Sequence, residues 1–174
     1  MARTRVRARA LVLGFVFVAL VLASVVLWRT QERFEQRPAP DLSFGLIDGS
    51  RIALSELRGR VVLVDFWATS CVVCVAEMPG LARLHRELAP RGLVTVAVAM
   101  PYDRPDFVVH FARTRDLPFA VALDPMGQAV RALGPVRGTP TLLLIDRSGT
   151  IVDAFEGSID FPGLRAAIER ALAG

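Results

Sequence analysis

Apolar residues in this chain form one long uncharged run, followed by a succession of short runs separated by turn-forming residues. The long run, Ala10 to Trp28, rises about 1.5 Å per residue as a helix and matches the roughly 30 Å hydrocarbon core of a bilayer. It predicts a transmembrane helix. Thr30 to Pro38 is polar, charged and unpatterned, as a short tether would be. Beyond it, Leu42 to Leu46 and Arg51 to Leu54 flank Asp48-Gly49 and predict a hairpin, after which Ser55 opens one helical turn. Val61 to Trp67 is apolar except for Asp65, the pattern of a central strand buried on both faces. Cys71 to about Leu88 reads as a helix that Pro79 should kink. Leu93 to Met100 predicts a second buried strand, Asp103 to about Arg115 a helix with Pro105 in its first turn, and Phe119 to Leu123 another strand. Met126 to Leu133 predicts a short helix, and Thr141 to Ile145 with Ile151 to Phe155 a hairpin about Arg147-Ser148-Gly149. Phe161 to Leu172 closes the chain as an amphipathic helix. Strands alternating with helices, then a hairpin and a last helix, predict an α/β fold with a mixed central sheet covered on both faces.

Charge sharpens this division. All 21 basic residues are Arg, and residues 1–37 hold seven of them against Glu32 and Glu35. The remaining 137 residues carry fourteen Arg against fifteen Asp plus Glu, so the basic excess belongs to the terminus and gives no sign of nucleic-acid binding. Arg3, Arg5, Arg7 and Arg9 precede the apolar run and predict a cytoplasmic N-terminus, with everything after Arg29 carried across the membrane. A cleaved signal peptide is the competing reading, but the run is longer than the roughly 7–15 residues of an h-region, and Ala23-Ser24-Val25 is a poor cleavage site. The expected organisation is a cytoplasmic basic tail over 1–9, a transmembrane signal anchor over 10–28, a linker over 29–38 and one catalytic domain over 39–174. In a bacterial cell this places a single-pass protein in the inner membrane with its domain in the periplasm.

Cys71-Val72-Val73-Cys74 carries the chemistry. These are the only two cysteines, so the two pairs of a zinc ribbon are absent, and a clip of this length removes little chain entropy. A helix opening at Cys71 points backbone N–H groups at its sulfur and favours thiolate, while Cys74 follows one turn on. The pair reads as a dithiol/disulfide centre with Cys71 as nucleophile and Cys74 as resolving thiol, needing no cofactor. Val72 and Val73 add no charge between them. His85 and His110 each sit in a helical stretch and suggest no metal cluster.

Val61 to Ala68, the cysteines, Pro79 and Gly138-Thr139-Pro140-Thr141 before Leu142 to Asp146 together resemble a thioredoxin fold. With Ala39-Pro40-Asp41, Leu54 to Arg60 and Glu77, the chain resembles the membrane-anchored TlpA/ResA-like thiol-disulfide oxidoreductases over about residues 39–174. The resemblance implies that the first hairpin is an N-terminal extension and that residues 101–124 are a central helix-strand insertion. It places Asp65 beneath Cys74 as a candidate base, makes Glu77 a residue tuning the thiols, and makes Thr139-Pro140 a cis bond whose edge, with Ser70 and Trp67, forms the substrate surface. Trp67 is also read as a packing residue. Ser70 departs from the family, which usually has Trp before the first cysteine. Implied partners are disulfide-bearing proteins, among them apocytochrome c or oxidase copper-site factors, and a membrane electron donor such as a transmembrane thiol reductase. Two other functions fit less well. A copper-delivery module would use a wider cysteine spacing and a placed histidine, and a thiol peroxidase needs a Pro-x-x-x-Thr-x-x-Cys pattern that is missing around Cys71.

Overall fold

Strand β4 (Val61–Trp67) is buried along its whole length, as its apolar sequence requires. The computed structural model describes residues 36–134 and 136–174, and in it β4 runs parallel to β5 (Leu93–Ala99) and antiparallel to β7 (Thr141–Ile145). Outward on one side follow β6 (Ala120–Leu123), parallel to β5, and the hairpin of β2 (Ser43–Leu46) and β3 (Arg51–Ala53). On the other side β8 (Thr150–Glu156) pairs with β7, and β1 (Arg37–Pro38) forms the edge. The eight-stranded mixed sheet has the order β1-β8-β7-β4-β5-β6-β2-β3.

Successive side chains of a strand point to opposite faces, and β4 shows what each face meets. Val61, Leu63 and Trp67 join a core cluster with Cys74, Met78 and Leu81 of helix α1 (Val72–Leu88), Val108 and Ala112 of α2 (Pro105–Thr114), and Leu164 and Ile168 of α4 (Phe161–Ala173). Val62, Val64 and Phe66, of the opposite parity, are buried outside that cluster, as are Ala129 and Leu133 of the short helix α3 (Gln128–Leu133). Asp65 has the parity of Leu63 and Trp67, which puts it on the face that α1 covers.

The hairpin extension and the inserted α2-β6 unit form as expected, and the first hairpin turn is held by Asp48, whose Oδ1 accepts from the Ser50 N–H and hydroxyl. The turn opened near Ser55 is a 3-10 turn, Leu54–Leu57. Helix α1 continues as one element through Pro79. The tether is corrected at its end. Arg37 and Pro38 pair with Ile151 and Thr150, and the Arg37 guanidinium donates to the carbonyls of Leu133 and Gly134 at the end of α3, so the domain begins before Ala39. A proline is tolerated there because β1 is an edge strand. The basic tail, the apolar run 10–28 and linker residues 29–35 lie outside the described residues; among those described, no helix is long and apolar enough to cross a membrane.

Candidate active site

The chain leaves β4 at Trp67, turns through Ala68, Thr69 and Ser70, and enters α1 with Cys71 as its N-cap. The turn is closed by the Cys71 N–H donating to the Ala68 carbonyl at 3.1 Å. The two sulfurs form a disulfide of 2.06 Å, with Cα atoms 5.2 Å apart. The Cys74 N–H donates to Cys71 Sγ at 3.1 Å. Such a donor at a helix start favours negative charge on that sulfur once the bond is reduced. Cys74 is 3% exposed while Cys71 is half-buried, so the outer sulfur is the accessible one. Val72 and Val73 stand exposed between them.

Beneath α1, Asp65 is buried, and among the described residues its Oδ1 has no hydrogen-bond partner. Burial, with the nearby Glu77 charge adding to it, pushes its carboxyl up to about 7. Glu77 lies on α1 one turn past Cys74; its Oε1 accepts from the Ile159 N–H at 2.8 Å, and its Oε2 is shielded, with no partner among the described residues. Asp65, Glu77 and the cysteines are thus brought to one face of the sheet. Trp67 is not part of the surface expected of it. It is fully buried, its ring packs on Phe111 of α2 at 5.2 Å, and only its packing role fits.

Thr139–Pro140 is cis, with Pro140 buried and Thr139 half-buried, while Ser70 is exposed. The Pro140 carbonyl accepts from the Gly157 N–H, and the Thr141 hydroxyl donates to the Gly138 carbonyl. Sequence reasoning missed Asp103. Its carboxylate accepts the Thr69 N–H at 2.5 Å and the Thr69 hydroxyl at 2.6 Å, tying the loop after β5 to the turn before the nucleophile. The signal was present as an Asp between a strand and an N-terminal Pro, but it read only as a helix start. His85 Nδ1 lies 3.1 Å from the Thr95 hydroxyl, and burial lowers its pKa; His110 is exposed. Among the described residues no three His, Cys, Asp or Glu side chains converge as a metal site requires.

The redoxin family model matches residues 35–168, which includes every residue of this site. The chain belongs to the redoxin family. It is 32% identical over 126 residues to the thioredoxin-like protein YneN of Bacillus subtilis, covering 72% of this chain and 73% of that one. It is 30% identical to the thiol-disulfide oxidoreductase ResA of Bacillus thuringiensis, covering 70% of this chain and 69% of ResA. The fold superposes with a TM-score of 0.72 on a thiol:disulfide interchange protein of the thioredoxin family from Chlorobium tepidum, at 26% identity over 79% of this chain and 97% of that structure. This redoxin is therefore a ResA-like member of the thioredoxin superfamily, and its activity is thiol-disulfide oxidoreduction.

Proposed function

We propose that this redoxin is an extracytoplasmic, membrane-tethered reductant of protein disulfides, recharged by a membrane thiol reductase. The observation that carries the exchange cycle is the asymmetry of the pair: an accessible sulfur at a helix N-cap and a shielded one on the sheet face that also buries Asp65. In the reduced protein, Cys71 thiolate attacks one sulfur of a client disulfide. The client S–S bond breaks, a Cys71–client bond forms, and the released client thiolate takes a proton from solvent. Cys74 then gives its proton to the Asp65 carboxylate and attacks Cys71 Sγ, expelling the second client thiolate. Two electrons have passed to the client and the Cys71–Cys74 disulfide remains. An acid titrating near neutrality suits that proton transfer, since it is ionised often enough to accept and basic enough to draw a thiol proton.

The Thr139 backbone, just before the cis-proline and the start of β7, with no backbone hydrogen bond among the described residues, suits docking of a client strand beside Cys71. The tether and the extracytoplasmic location rest on the apolar run and the four preceding Arg. Clients of the apocytochrome c or oxidase copper-site class follow from the family resemblance. The test of direction is the redox equilibrium of the pair against glutathione. A midpoint below that of the glutathione couple supports a reductant, and one above it makes the protein an oxidant.

A further inference from the structure

Ser70, directly before the nucleophile, offers no apolar surface, yet the two residues between the cysteines expose apolar side chains. Val72 is 83% exposed and Val73 40%. Tyr102, 64% exposed, sits next to Asp103 in the loop after β5, and Asp103 holds Thr69 with two hydrogen bonds, two residues before Cys71. The loop is braced further by the Met100 N–H on the Trp67 carbonyl at 2.9 Å and the Asp103 N–H on the Met100 carbonyl at 2.9 Å. Of the large apolar side chains exposed among the described residues, Val72, Val73 and Tyr102 therefore lie in the motif or in the turn clamped to it. Exposed apolar side chains gathered at a reacting centre mark a contact that a partner covers. The partner is fixed by the chemistry: whatever disulfide Cys71 attacks brings its flanking residues onto this surface.

We infer that Tyr102 is a client-contacting residue, receiving an apolar side chain adjacent to the client cysteine that Cys71 attacks. This rests on the exchange reading of the site. A rigid aromatic ring held by a clamped loop gives contact area at low entropy cost, and so selects clients with an apolar flank. Asp103 acts only by holding the loop.

The test uses the full chain, reduced, as wild type, Tyr102→Ala and Tyr102→Phe. The probes are the disulfide-linked dimer of Gly-Leu-Cys-Gly, the same dimer with Ser for Leu, and oxidised mercaptoethanol, which is too small to span both sites. Tyr102→Ala should lower the second-order rate with the Leu dimer by about tenfold, the weight of one aromatic contact, while leaving oxidised mercaptoethanol within about twofold. Tyr102→Phe should keep the preference for the Leu dimer over the Ser dimer. Equal losses on every probe would mean that Tyr102 acts through Cys71, and no loss on the Leu dimer would mean that it touches no client; either overturns the inference. A wild type that reduces none of the probes removes the exchange reading itself, and the inference with it.

Discussion

The Glu77 carboxylate accepts the Ile159 backbone N–H at 2.8 Å, joining α1 to the segment that leads into α4. One oxygen is thereby held while the other stays shielded with no partner among the described residues, and the Glu77 charge is the second cause of the raised Asp65 pKa. Glu77→Gln keeps a carbonyl for Ile159 but removes that charge. Asp65 should then titrate lower, though still above an ordinary carboxylate because burial, the larger cause, remains. A carboxyl titration followed by NMR checks this, and an unmoved Asp65 midpoint would show that the two acids are not coupled.

Asp65 links the site to stability. Its pKa is raised from 3.8 to about 7 on folding, so the native state holds its proton where the unfolded chain has lost it. Stability attributable to this group is full below the unfolded value and falls as pH rises, until it is gone above the folded value. Asp65→Asn abolishes that dependence. In urea unfolding of the oxidised protein, the variant should gain on the wild type between about pH 4 and pH 8 by on the order of a few kcal/mol. The same variant should slow resolution of the mixed disulfide at neutral pH by about tenfold or more while changing the initial attack less. Parallel pH profiles would make Asp65 a structural residue whose charge is compensated elsewhere.

A reporter fused after Gly174 should be active only outside the cytoplasm, and residues 1–28 should stay with the membrane fraction. The uncharged run Ala10 to Trp28 and the Arg before it carry this expectation, independently of the redox motif. A soluble species beginning near Ser24, identified by N-terminal sequencing, would replace the anchor with a cleaved leader.

How far the sequence was legible depended on the range of each interaction. The strand Val61–Trp67 and the helix after Cys71 are written in local hydrophobic pattern, and both formed within a residue or two of their expected bounds. The site residues Asp65, Cys71 and Cys74 stood out because each departs from its surroundings: an acid in an apolar strand, and a lone cysteine pair. What stayed hidden was pairing at a distance. Arg37 reads as part of a polar tether, and its pairing with Ile151 and the open carbonyls at the end of α3 explain why it is held there. The Thr69–Asp103 clamp spans 34 positions and leaves no periodic trace. Trp67 was ambiguous for a related reason, since an aromatic next to a redox motif serves substrate or core equally well until Phe111 is seen against it.

Removing one sulfur at a time separates the roles of the two cysteines. In Cys74→Ser, Cys71 still attacks a client disulfide, but nothing remains to expel it, so the protein should accumulate as a mixed disulfide with its clients. In Cys71→Ser the remaining thiol is 3% exposed and lies inside the helix rather than at its cap, away from the accessible position. It should trap at least about tenfold less, because both access and thiolate fraction are lower. Non-reducing electrophoresis of cells expressing each variant reads the ratio, and mass spectrometry of the trapped bands identifies the clients. Equal trapping by both variants, or by neither, would reverse or remove the assignment of Cys71 as nucleophile. Recovery of haem-binding-site or copper-site cysteine proteins would support the assembly role, whereas a broad mixture of secreted proteins would point to general disulfide reduction.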